Sequence, residues 1–164
     1  MKKLLIVSLI LAPHIAYAAD TPIVGNVQTR CLITTDTNGV YGNPLPSKLS
    51  TAAADGGVVP IVRYDVTLAD AYLAKITTPT AFNSSPTLSD TVTWTGTTAV
   101  SKTSDAGMSG YEAAKVTYGS TTQFDLTIAG STWFSSESTA VYGVAKSFVG
   151  GSYTAIVLAE CIAK

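Results

Sequence analysis

From residue 23 onward, apolar side chains recur at every second position, and that period admits strands and little else. Ile23, Gly25, Val27, Thr29, Cys31 and Ile33 share one parity, with Asn26, Gln28 and Arg30 between them. Successive strand side chains point to opposite faces, so this is the pattern of a half-buried strand. Val58, Pro60, Val62, Tyr64 and Val66 repeat it against Arg63, Asp65 and Thr67. Further strands are expected at residues 72–77, at 91–100 around Trp94, at 123–128, at 140–148 and at 152–162, with Gly96 a point where the 91–100 strand breaks. Turn signals separate them: Asn38-Gly39, Asp55-Gly56-Gly57, Pro79, Gly130-Ser131 and Gly150-Gly151. Residues 41–54 read as a loop with room for one helical turn near residue 52. Residues 105–110, with two glycines, read as a flexible loop, and at 111–118 a helical turn competes with a strand. About seven to nine short strands with no longer helix is the signature of an all-β, immunoglobulin-like β-sandwich.

The last strand departs from simple alternation. Tyr153, Ala155, Val157, Ala159 and Cys161 form one face, yet Ile156, Leu158 and Ile162 make the other apolar too. Either the strand is buried on both faces, or it lines a groove that another segment fills.

The N-terminus carries an address. Met1-Lys2-Lys3 is basic, Leu4 to Leu11 is apolar, and Ala16-Tyr17-Ala18 places small residues at the two positions a signal peptidase reads. The apolar run is far short of the roughly 20 residues a bilayer span needs, and no later segment is long and apolar enough. Residues 1–18 are therefore expected to be a signal peptide and residues 19–164 a single domain. The short Lys-Lys start looks bacterial, which directs the protein to the periplasm, the cell surface or the extracellular space.

Cleavage reshapes the inventory of chemistry. The single histidine, His14, leaves with the signal peptide, and loss of Lys2 and Lys3 takes the formal net charge from −1 to −3. Nucleic-acid binding needs a basic face to neutralise phosphates, and the net charge argues against one. Without histidine there is no Ser-His-Asp triad and no commonest zinc ligand. Neither a Gly-x-Ser-x-Gly elbow nor a Ser-x-x-Lys motif is present. The carboxylates are scattered over turns and polar strand faces, which reads as solvated surface, although a hydrolase built on paired carboxylates stays formally open. Asp36-Thr37-Asn38-Gly39 matches the opening of a calcium loop, but Ser47 stands where the closing glutamate belongs, so it reads as a turn. The expectation is a non-enzyme with no catalytic residue, metal or cofactor.

Two cysteines remain, Cys31 and Cys161. An even count in an exported chain reads as a disulfide, with a free thiol pair and an intermolecular bridge as the rivals. Paired within one chain, they close a loop of about 130 residues, worth roughly 4 to 5 kcal/mol in the chain-entropy model, and set the first and last strands side by side. Trp94, between threonines, reads as core. Trp133 and Phe134 follow a turn and offer a platform for a ligand.

Three segments resemble bacterial fimbrial (pilin) subunits. Val92-Thr93-Trp94-Thr95-Gly96 is similar to the mid-domain Trp-Gly strand of some major subunits. Gly150-Gly151-Ser152-Tyr153 and the apolar run after it are similar to the opening of the terminal pilin strand. Residues 25–33, with Cys31, resemble the N-terminal extension and first strand. The resemblance implies a sandwich lacking a strand, completed by an extended segment of the neighbouring subunit. Ile23, Gly25, Val27 and Thr29 would be the donated face, and Ile156, Leu158 and Ile162 part of the acceptor wall. Self-association, or union with other surface subunits in a filament or matrix, would be the function. One feature departs from the family, whose disulfides join neighbouring early strands; a Cys31–Cys161 bond also suits a complete monomeric sandwich. The alternative is thus a secreted binding module for a carbohydrate or a protein partner, with Trp133, Phe134 and residues 105–110 as its contact surface.

Overall fold

The computed structural model describes residues 30–144 and 146–164; the expected signal peptide and Ile23, Gly25, Val27 and Thr29 lie outside them. The described chain is mostly β, in two antiparallel sheets packed face to face. Its strands are β1 (Cys31–Thr37), β2 (Gly42–Leu45), β3 (Lys48–Ser50), β4 (Ile61–Val66), β5 (Tyr72–Thr77), β6 (Val92–Thr103), β7 (Val116–Tyr118), β8 (Thr121–Leu126), β9 (Gly130–Tyr142) and β10 (Leu158–Ala163). Among the described residues the one α-helical turn, α1, covers Tyr111–Ala114.

The larger sheet is organised by β9. Along one side β9 pairs with β4 through its first half and with β3 through its second, and β6 runs along its other side. The order is β1-β4-β9-β3-β2, with β6 joined to β9. The smaller sheet has the order β10-β5-β8-β7. Between the sheets lie Tyr64, Phe134, Phe124, Ile76, Leu126 and Met108, each no more than 1% exposed. Phe134 meets Tyr64 edge-on at 5.4 Å and Phe124 at 4.4 Å. The Tyr64 hydroxyl crosses the core to donate to the main-chain carbonyls of Lys75 (3.3 Å) and Glu160 (3.1 Å). One side chain so ties the larger sheet to two strands of the smaller, and burial holds its phenol well above the usual tyrosine range.

Five expectations need correction. The last strand, expected at residues 152–162, begins only at Leu158, because the residues before it pair with β5 nowhere and only Thr154 makes an isolated bridge, to Ser84. The loop expected at residues 41–54 contains the β2–β3 hairpin, which the Asn43 side chain closes by donating to the carbonyls of Leu45 and Lys48, both at 2.9 Å. Pro44 is tolerated there because β2 is an edge strand. Gly42 is required, since a Cβ would sit 2.1 Å from the Asp55 carbonyl oxygen. The break expected at Gly96 is absent: β6 runs on to Thr103, with one register shift between Val100 and Lys102. The strand expected at residues 140–148 is instead the end of β9, which runs unbroken through the serines of residues 135–138 and stops at Tyr142. Finally, residues 105–110 are not a flexible loop. Asp105 accepts from the Gly107 N–H at 2.7 Å, a tight turn follows, and Met108 enters the core at 1% exposure. These additions bring the described strands to ten.

The smaller sheet does not cover all of the larger one. Over the ends of β6 and β9, residues 78–91 and 146–157 lie instead, joined by a bridge between Ser84 and Thr154. They lay down a second, aromatic core: Phe82 packs on Trp94 at 4.7 Å, Tyr153 at 5.1 Å and Phe148 at 6.0 Å. Gly96 permits this closeness, because a Cβ there would be 2.5 Å from the Thr78 side chain.

Candidate functional site

β1 and β10 are the edge strands of the two sheets on the same side of the molecule. The Cys31–Cys161 disulfide joins them, with Cα atoms 6.5 Å apart and 130 residues between. Beyond pairing with β4 and β5 respectively, neither has a ladder partner among the described residues. This is the open side of the sandwich.

At the end of β1 away from the disulfide the open side carries a groove of about 290 Å³. The end of β1 (Thr35, Thr37), Pro60 with the start of β4 (Ile61, Val62), and residues 155–157 form its walls, and Ser136 and Ser138 of β9 lie at its floor. No charged side chain lines it. The alternation of β9 explains the floor: Phe134, Ser136, Ser138 and Ala140 all face inward, and the two serines fall where neither the smaller sheet nor the aromatic core reaches. Ser138 is satisfied, its hydroxyl 3.2 Å from Tyr41 Oη and its N–H donating to Thr51 Oγ1 at 2.9 Å. Burial pushes the Tyr41 phenol above its usual range, outweighing that hydrogen bond. Ser136 is wholly buried, and its hydroxyl has no partner among the described residues. The same holds for Thr98, its cross-strand neighbour on β6. Native structures pair nearly all such groups, so Ser136, which lines the groove, is an exception that a further polar partner would remove; Thr98 lies behind it and does not line the groove.

The expected acceptor wall is divided. Ile156 lines the groove and is 60% exposed. Leu158 and Ile162 lie with Glu160 on the other face of β10, turned away from the core that Ala159 and Cys161 pack against. Only half of β10 has a partner face, and its outward residues remain exposed at 52% and 40%.

The expected aromatic platform is also divided. Trp133 and Phe134 are neighbours on one strand and so point to opposite faces. Phe134 is fully buried. Trp133 lies on the outer face, its indole donating to Asp36 at 3.2 Å, with the Lys102 ammonium 4.8 Å and the Arg63 guanidinium 5.9 Å from the ring centroid. The ring that a sugar would stack on is taken by the protein's own cations.

Most of the described carboxylates lie in ion pairs, among them Asp55 with Lys48 (2.6 Å), Asp65 with Arg63 (3.0 Å), Asp90 with Lys146 (3.0 Å), Glu160 with Lys75 (2.9 Å), and Asp70 and Asp125 with Lys164; Asp36, Asp105 and Glu137 are in none among the described residues. Hydrogen bonds from Lys48 and Ser50 hold Asp55 below the usual carboxylate range, and Lys146 with the Thr91 N–H does the same to Asp90. Among the described residues no three His, Cys, Asp or Glu side chains gather as metal ligands would, and no helix is long and apolar enough to cross a membrane. No family model, curated protein or solved structure matches this chain.

Proposed function

We propose that this protein is an exported, non-enzymatic structural subunit of pilin-like type, an immunoglobulin-like sandwich that assembles into a surface filament or matrix by β-strand addition. In this reading residues 19–29 of one copy lie along the open side of the next. Ile23, Val27 and their parity face the groove, and main-chain groups pair with an open edge. One observation carries it: the open side combines two unpaired strand edges with an uncharged groove whose floor holds an unpartnered serine. Strand addition supplies what each lacks, apolar side chains for the Val62 and Ile156 walls and polar groups for the edges. The test is light scattering on the oxidised chain 19–164 beside the chain 30–164. Assembly of the first and a folded monomer of the second support the proposal. If truncation unfolds the protein, residues 19–29 are a strand of their own sandwich and the proposal fails.

The groove also favours a second reading, a monomeric module for a neutral carbohydrate. Its hydroxyl-rich, uncharged lining suits a polyol better than an acidic sugar. Two folded monomers in the same experiment, with glycan binding lost on Tyr41→Ala, would favour that reading.

A further inference from the structure

On the other side of β9 from β4 and β3, the open edge of the larger sheet is β6, and it is guarded over only part of its length. Odd-numbered residues at its start bond toward β9, as the Gly143 N–H shows by donating to the Thr91 carbonyl at 3.0 Å. Even-numbered residues therefore turn their main-chain groups outward. At the far end α1 covers that edge. Lys115 Nζ donates to the Thr98 carbonyl at 2.9 Å, and the Val100 N–H donates to Glu112 Oε2 at 2.8 Å. The two side chains also pair with each other. Burial works against the Glu112 charge, but Lys115 and the Val100 N–H outweigh it and hold the carboxyl below its ordinary value. A lysine and a glutamate thus occupy one acceptor and one donor that an incoming strand would need, a common protection of edge strands.

Toward Val92 the guard stops. Val92, Trp94 and Gly96 turn their N–H and C=O groups outward, and none has a hydrogen-bond partner among the described residues. Residues 92–98 carry no charge, and four of the seven are threonine. The run is also self-complementary. Laid antiparallel on a second copy about a two-fold axis at Trp94, Val92 faces the other copy's Gly96, a branched side chain against none. Trp94 faces Trp94, and each such pair exchanges two hydrogen bonds. On the solvent face Thr93 falls opposite the other copy's Thr95, and Thr–Thr neighbours are favourable cross-strand pairs.

We propose that residues 92–96 of β6 are a self-pairing edge that joins two copies of this chain into one continuous sheet, the Glu112–Lys115 clamp setting where the pairing ends. This contact is independent of strand addition on the β1–β10 side, which leaves residues 93 and 95 of different copies apart. The experiment uses the chain 19–164 carrying either Thr93→Cys or Thr95→Cys. Both positions are exposed and their side chains make no hydrogen bond among the described residues. In the proposed register residues 93 and 95 of the two copies have Cα atoms about 4.5 Å apart, within disulfide range. Two residues 93 are a further step apart. Mixing the two variants under mild oxidation is expected to give a mixed disulfide in severalfold excess over either variant alone. Equal yields, or none, overturn the proposal. Charge provides a second readout by sedimentation: Thr93→Lys with Thr95→Lys should separate the copies, and Thr93→Lys with Thr95→Glu should rejoin them. Identical behaviour of the two double variants overturns it as well.

Discussion

Replacing both cysteines, Cys31→Ser with Cys161→Ser, tests the connection on which the open side is built. The bond spans 130 residues, so its loss frees nearly the whole described chain in the unfolded state. The chain-entropy expression then gives a destabilisation of about 5 kcal/mol, before any compensation in the folded state. With an m-value of about 2 kcal/mol/M for a domain of this size, the urea midpoint should fall by roughly 2 to 3 M. Both tryptophans sit on the larger sheet, Trp94 in β6 and Trp133 in β9. Fluorescence therefore reports that sheet, and far-ultraviolet circular dichroism reports both. The m-value should rise in the variant, because the uncrosslinked chain unfolds to a more expanded ensemble. A midpoint shift below about 0.5 M with unchanged m would refute the reasoning. It would mean that the unfolded chain already holds its ends together, or that β1 and β10 are not side by side.

Three further outcomes follow from individual side chains. Thr98→Val with Ser136→Ala removes both unpartnered hydroxyls at once, and should leave stability unchanged or raise it by about 1 kcal/mol, measured by urea unfolding. Phe134→Ala should cost about 3–5 kcal/mol as a core truncation, whereas Trp133→Ala should cost about 1 kcal/mol from its cation contacts; equal losses would place both rings on one face. Asp55, Asp90 and Glu112 all have depressed folded-state pKa values. Their contribution is therefore complete above the ordinary carboxylate range and lost as pH falls below about 4 through the folded values. A thermal midpoint that held or rose on acidification from pH 5 to pH 2.5 would contradict that assignment.

The strands that were plain in the sequence are those whose inward positions are large and apolar. β5 was readable to the residue, and β4 was legible because Val62, Tyr64 and Val66 alternate with Arg63 and Asp65. β9 was hidden in its middle because its inward residues there are Ser136 and Ser138. Hydroxyls at buried positions look like loop, and only the fold shows that these two lie inward, at the floor of the groove. The β2–β3 hairpin was hidden for a different reason, being closed by a side-chain amide and a glycine under backbone contact, neither of which has a period. Met108 is a single apolar residue among small ones, so no alternation could place it in the core. At the candidate site, the pairing of Cys31 with Cys161 was legible from cysteine count alone. The division of Ile156 from Leu158 and Ile162 was not, because the strand begins only at Leu158 and the preceding residues follow the groove rather than a ladder. The Glu112–Lys115 clamp is invisible in sequence, since its partners are main-chain groups of a strand more than ten residues away.

The central claim is that residues 19–29 belong in the groove of another copy, and a titration tests it most directly. A peptide of those residues is added to the oxidised chain 30–164, shown to be folded by circular dichroism, and heat is measured. The account predicts saturable one-to-one binding, abolished in a peptide carrying Ile23→Asp and Val27→Asp and weakened by Ile156→Asp in the protein. A folded protein that takes up no peptide, or takes up both peptides equally, would contradict it.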